Sequence, residues 1–292
     1  MDVARQRTIA QPAEVTGFGL FHGQDCRLTF RPAPPGHGLA FRRADLPGSP
    51  VVPATIEHLQ PAPRRTVLAQ GGAQVETVEH VLAALAGLWI DNCLVELTAV
   101  EPPIGDGSSL AFVEALRTAG VVEQPAPANI AKVDVSFRSG DPLSQIQIDA
   151  EPADGLEVRY DLDYGSPLIP PQSVACTVTP QRFMGEIAFA RTFILDSEVD
   201  GLKALGFGRR VTTDNLLVIG PRGPLGNVFR SPDECARHKL LDAIGDWALC
   251  GARVQGRFHA VRSGHSQNHE LAARLRSVAA SRRSGTASPF AA

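Results

Sequence analysis

The chain has no Cys-x-x-Cys pair: its five cysteines, Cys26, Cys93, Cys176, Cys235 and Cys250, are odd in number and widely spaced. That spacing argues against both a thiolate zinc knuckle and a disulfide framework, and it points to a reducing, cytoplasmic setting. Basic clusters are missing too, and a formal net charge of -3 leaves no electrostatic footprint for nucleic acid. The N-terminal stretch MDVARQRTIAQ lacks the apolar core of a secretory signal. No run approaches the roughly 18 apolar residues of a membrane-spanning helix. A soluble protein is expected. What is present is ample material for a core: 292 residues, 43% hydrophobic and 20% charged, enough for two domains.

The segment SPDECARHKLLDAIGDWALCG, residues 231–251, reads as one helix. Ser231 and Glu234 have the spacing of a capping box, Pro232 suits the first helical position, and Gly251 suits the C-terminal cap. At about 100° per residue, Leu240, Leu241, Ala243, Ile244, Trp247 and Ala248 fill an apolar arc. His238, Lys239, Asp242 and Asp246 gather on another arc. A solvated face is the ordinary reading of a charged arc, but such faces usually mix long Lys, Glu and Arg side chains. Here a histidine and an aspartate stand one turn apart, about 6 Å along the axis, and such a pair can hold one metal ion through nitrogen and oxygen.

A third ligand follows from an apparent duplication. In the first half, VETVEHVLAALAGLW reads as a helix, CLVELTAV as a strand, PPIGDGSS as a loop and LAFVEALRTAG as a helix. The second half repeats the order with the helix from Pro232, the strand VQGRFHAV, the loop RSGHSQN and the helix HELAARLRSVA. His80 precedes the loop residue Asp106 by 26 positions, and His238 precedes His265 by 27. Between the halves, EQPAPANIAK (123–132) interrupts the pattern with two prolines. The expected fold is therefore α+β, two related halves that can pack against each other. The domains are drawn at 1–126 and 127–280, with 281–292 as a small, polar, disordered tail.

Pseudo-symmetric packing would carry His80 toward His238, although a histidine on an apolar helix is by itself more often a satisfied core residue. Glu79 beside it tips the balance, since a buried acid needs a partner. Two histidines and one carboxylate, His80, His238 and Asp242, form the ligand set of a catalytic zinc site with an open position. Glu79 is then the candidate base, His265 the acid or charge stabiliser, and Asp246 its supporting carboxylate. Lys239 would add positive charge near a developing oxyanion.

The motifs TVEHVLAALAGLWIDN (77–92), PIGDGSS (103–109), ARTF (190–193), ARHKLLDAIGD (236–246) and SGH (263–265), in this order, resemble the UDP-3-O-acyl-N-acetylglucosamine deacetylases, zinc amidases of lipid A synthesis. The likeness runs from about Gln6 to Leu275 and includes TGFGL and RPAPPG near the N-terminus. The resemblance implies two related domains, each a β-sheet layered against helices, with the active site at the domain interface. It also implies zinc held by His80, His238 and Asp242, Glu79 as general base, and a protonated His265 supported by Asp246. It further implies that Thr192 stabilises the oxyanion, that Phe193 and Lys239 touch substrate, and that an insert at about 194–219 forms an acyl-chain channel. The implied substrate is a small acylated nucleotide sugar, the implied reaction N-deacetylation, and a cytoplasmic monomer is expected.

Departures from the family pattern lie away from the metal ligands. Arg210 and Val211 replace a common Gly-Gly pair, Phe21 replaces the histidine of TGxGLH with His22 shifted by one, and Arg262 replaces a lysine before SGH. Ser231-Pro232 takes the place of an aromatic-acidic pair. Two other classes remain open at this level: a zinc amidohydrolase for another N-acylated sugar, and a silent relative that binds a nucleotide sugar. The silent relative would be expected to lack a ligand or base, and every such position is filled.

Overall fold

Two sheets, one of five strands and one of six, share a common five-strand order, which is the clearest architectural sign of duplication. The computed structural model describes residues 4–284 apart from 142 and 144. In the first half the order is Ala13–Phe18, Asp25–Pro32, Cys93–Leu97, Leu39–Arg43, Val51–Pro53. In the second it is Phe137–Asp141, Ile146–Glu151, Arg253–Val261, Leu156–Leu162, Gln172–Thr177. Each sheet places its last strand in the middle, antiparallel to one neighbour and parallel to the other. The α+β fold of two related halves agrees with the sequence reading.

Among the described residues six α-helices accompany the sheets: α1 (Glu79–Gly87), α2 (Leu110–Ala119), α3 (Pro180–Arg182), α4 (Asp196–Ala204), α5 (Glu234–Trp247) and α6 (His265–Ser284). Helix α1 is rich in Ala and Leu and is buried over nearly its whole length, as expected of a helix apolar on every side. Helix α5 packs against α1, α6 and the strands Leu156–Leu162 and Gln172–Thr177. Its apolar arc meets the second sheet, where Trp247 lies 4.8 Å from the Phe258 ring. Its charged arc is not solvated: His238, Asp242 and Asp246 are all buried.

The α1–α5 crossing is close because Gly245 has no side chain. A Cβ there would overlap the carbonyl of Glu79 and crowd the Ala83 nitrogen. A second close approach seats the Phe183 ring against Gly87. The strands Phe193–Leu195, Leu217–Gly220 and Gly223–Pro224 form a small sheet, with α4 between the first two, over the expected insert.

Four local expectations are corrected. Ser231 and Glu234 form no capping box, and Pro232 precedes the helix. Helix α5 begins at Glu234, whose carboxylate turns inward to Arg191 (2.8 and 3.0 Å) and to the backbone N–H groups of Arg191 and Arg230. Pairing a buried guanidinium outweighs capping a helix end. The Gly251 stop is as read, with φ +69, after a 3₁₀ turn over Ala248–Cys250. His265 opens α6 instead of lying in a loop. The proline-rich stretch is no interruption: Val121–Pro127 pairs with the strand Arg5–Ile9, and Ile130–Lys132 joins the second sheet. Prolines suit such edge positions. Of the expected tail, Ser281–Ser284 continue α6, and 285–292 lie outside the described residues.

Gly245→Ala is expected to lower stability by about 1–3 kcal/mol through forced separation of α1 and α5, read as a fall in the denaturation midpoint. Gly201→Ala in α4, where a Cβ meets open space, should be neutral or stabilising by up to about 1 kcal/mol. Equal behaviour of the two variants would refute the close-crossing account.

Candidate metal centre and active site

The α1–α5 crossing delivers His80 from the first turn of α1 to the middle of α5, where His238 and Asp242 stand one turn apart. The two imidazole rings lie 5.0 Å apart at 84°. Asp242 Oδ1 is 3.4 Å from His238 Nε2 and 3.7 Å from His80 Nε2. His238 Nδ1 lies 3.1 Å from the Ala190 carbonyl, a contact that puts the ring proton on Nδ1 and leaves the Nε2 lone pair toward the cluster. Burial, followed by the nearby His238, pushes His80 down to about 3, and burial also lowers His238, so both rings are neutral.

The donor set fits a metal ion by a specific test. Asp242 Oδ1 is a buried oxygen with no hydrogen-bond partner, and an oxygen left so would be costly unless a cation met it. The other oxygen, Oδ2, accepts from Lys239 Nζ at 2.7 Å. Burial opposes the Asp242 charge, but the neighbouring imidazoles and the Lys239 ammonium hold its carboxyl well below the usual range. A second acidic-imidazole group, Asp246, His265 and His269, fails the same test. Both Asp246 oxygens are already used by Thr66, His265 and Asn268.

Glu79 adjoins His80 and is buried; desolvation raises its carboxyl to about 7. His265 Nδ1 lies 2.8 Å from Asp246 Oδ2. Burial works against charge on His265, but the Asp246 carboxylate more than offsets it and raises the imidazole to about 9. A carboxyl poised near neutrality and an imidazole held above the usual range thus line the same cavity.

His80, His238 and Asp242, with Glu79 and His265, line one cavity of about 780 Å³ together with Thr192, Phe193 and Lys239. Phe193 meets the His238 ring at 6.1 Å. Thr192 is held by its backbone, donating to the Gly107 carbonyl at 2.8 Å and accepting from Leu217 N at 2.9 Å. Gly107 has φ +86, and a Cβ on it would strike the Asn215 carbonyl and crowd the Thr192 methyl. The loop 103–109 therefore seats Thr192. From the insert come Ile194, Leu195, Val199, Leu202, Val211 and Val218, an apolar wall.

Of the departures, Phe21 and Val211 line this cavity, and Arg210 lies outside its lining. Arg210 donates to the Gly23 carbonyl (2.8 Å) and Asp25 (2.7 Å) and lies over the Phe18 ring. Phe21 packs edge-on against Phe207 at 5.3 Å. Arg262 takes φ +55, and its N–H bonds the Asp161 carbonyl.

Several functional neighbours escaped the sequence reading. Thr66, Asn268 and His269 surround Asp246. Tyr160 donates to the Ser263 carbonyl and so anchors the turn into His265. Glu101 accepts from Phe21 N, His22 N and Thr77, whose backbone is held at φ +55 just before α1. Only His269, one helical turn after His265, carried a visible signal.

Two imidazoles and a carboxylate around an open centre, with a base alongside, are the equipment of hydrolases that use a metal ion. A family model described as UDP-3-O-acyl N-acetylglycosamine deacetylase matches residues 6–277. The chain belongs to this family. Similar proteins carry the name UDP-3-O-acyl-N-acetylglucosamine deacetylase. The one from Anaeromyxobacter dehalogenans (strain 2CP-C) is 42% identical over 269 residues, covering 91% of this chain and 85% of its own. That of Myxococcus xanthus (strain DK1622) is 40% identical over 275 residues, with 93% and 86% covered. That of Pseudomonas entomophila (strain L48) is 38% identical over 278 residues, with 93% and 90% covered.

Asp246→Asn removes the charge that outweighs burial at His265. Its imidazole should then titrate below about 7, well under the wild-type value, by NMR. A value still near about 9 would show that Asp246 is not the cause.

Proposed function

We propose that the protein is a zinc-dependent deacetylase that removes the N-acetyl group of a UDP-3-O-acyl-N-acetylglucosamine, releasing acetate and a free amine, an early step of lipid A assembly. The observation that carries this reading is the unpartnered Asp242 Oδ1 between His80 and His238, brought from two halves of the chain to one buried point. Those three residues would hold the ion, whose Lewis acidity makes a water molecule more acidic and an amide carbonyl more electrophilic.

The chain's own groups supply the rest. Glu79 takes the proton of the attacking water as oxygen adds to the acetyl carbon. Thr192 and Lys239 face the oxygen that gains charge, and the imidazolium of His265 gives a proton to the nitrogen as the carbon–nitrogen bond breaks. The apolar wall of the insert receives the acyl chain, and Phe193 packs beside the sugar. Five buried, unpaired cysteines support a reducing compartment, the cytoplasm. Among the described residues no helix is long and apolar enough to cross a membrane.

Glu79→Ala should retain zinc by metal analysis while kcat for deacetylation falls at least about a hundredfold. A metal-free wild type, or a fully active variant, would sink the reading. The base must be ionised and His265 protonated. Activity is therefore expected to rise as pH passes about 7 and fall as it passes about 9, a bell checked by the pH profile of kcat/KM.

A further inference from the structure

We infer that Thr66 is a positioning residue that ties the Glu79 carboxylate to the Asp246–His265 pair across the junction of the two halves; this rests on the hydrolase reading above. Thr66 precedes the short strand Val67–Gln70 and is fully buried. Its backbone N–H donates to Glu79 Oε2 at 3.0 Å. Its hydroxyl donates to Asp246 Oδ1 at 2.6 Å, a contact spanning 180 positions of sequence. One residue therefore holds both the base and the carboxylate behind the acid.

The direction of a third contact follows from counting protons. The hydroxyl has a single hydrogen, and the ionised Asp246 can only accept, so that hydrogen is committed. The 2.9 Å contact between Thr66 Oγ1 and His269 Nε2 then runs the other way, with His269 donating. A relay of donors results, His269 to Thr66 to Asp246, in which each bond polarises the next. The remaining Asp246 oxygen receives His265 Nδ1 at 2.8 Å and Asn268 Nδ2 at 2.9 Å. Donors thus restrain the carboxylate on both oxygens, and its orientation fixes the ring of His265.

Packing alone does not explain the hydroxyl. Valine has nearly the same shape, and a buried hydroxyl is unfavourable unless its bonds are made. Here both its donor and its acceptor capacity go to groups of the site. Each end of the bond to Glu79 also follows, two positions on, a non-glycine residue held at positive φ, Arg64 at +64° and Thr77 at +55°. Such conformations persist only where the surroundings dictate them.

The test uses the zinc-loaded full chain and Thr66→Val, Thr66→Ser and His269→Leu. Thr66→Val should lower kcat by about tenfold to a hundredfold, with KM and bound zinc nearly unchanged. The downfield NMR resonance of the His265 Nδ1 proton should also shift or broaden, a readout independent of activity. Thr66→Ser restores the hydroxyl and should recover most of kcat. His269→Leu should cost less, and because His269 Nε2 also lies 3.4 Å from Asp246 Oδ1, the double variant should lose more than Thr66→Val but less than the two losses combined. A Thr66→Val protein with kcat within about twofold of wild type and an unmoved resonance overturns the inference. So does a Thr66→Ser protein as impaired as Thr66→Val. Should Thr66→Val fail to fold, an unchanged kcat and resonance in His269→Leu would overturn it instead. A wild type without deacetylase activity removes the hydrolase reading itself, a result distinguishable from any difference among variants.

Discussion

The contact between Gly245 and the Glu79 carbonyl governs the rest of this structure. It sets the distance between α1 and α5, and that distance decides whether His80 reaches the pair on the other helix. Interior packing is dense enough that a single added methyl group must move something. Here the atoms that would move include the backbone of the base. The geometry of the candidate site thus depends on a residue with no chemistry of its own.

Helix α5 shows how burial assigns different tasks to like groups. Asp242 and Asp246 are one turn apart, both buried and both ionised. Asp246 is saturated with hydrogen-bond donors, whereas Asp242 keeps one oxygen unmet. Saturation makes a rigid support, and the unmet oxygen leaves a site that a cation could meet. His265 adds a further constraint, since it sits at the start of α6, where the helix dipole disfavours a cation. The adjoining Asp246 carboxylate, with a smaller contribution from Asp242, makes a lasting positive charge tolerable there.

Much of this was legible in the sequence, for reasons particular residues make plain. The i, i+4 spacing of His238 and Asp242 survives any choice of tertiary packing, and the repeated order of helix, strand and helix foretold the matching sheets. The resemblance supplied Thr192, whose segment has no periodic signal of its own. The start of α5 was misread because local capping rules see Ser231 and Glu234 but not Arg191, 43 positions away. The strand Val121–Pro127 was missed because proline content speaks of the interior of a sheet, and this strand pairs at an edge. Thr66 escaped for the same reason as Arg191: its partners are distant in sequence, and an isolated threonine has no pattern.

The shared strand order has a consequence for how binding and folding are coupled. With His80 contributed by one half and His238 and Asp242 by the other, an ion in the cluster acts as a staple between two separately layered units. Any loosening of the seam weakens its grip, and any ion bound tightens the seam by mass action. Metal content therefore becomes a gauge of docking between the halves, and a damaged interface would register as lost occupancy before either sheet came apart.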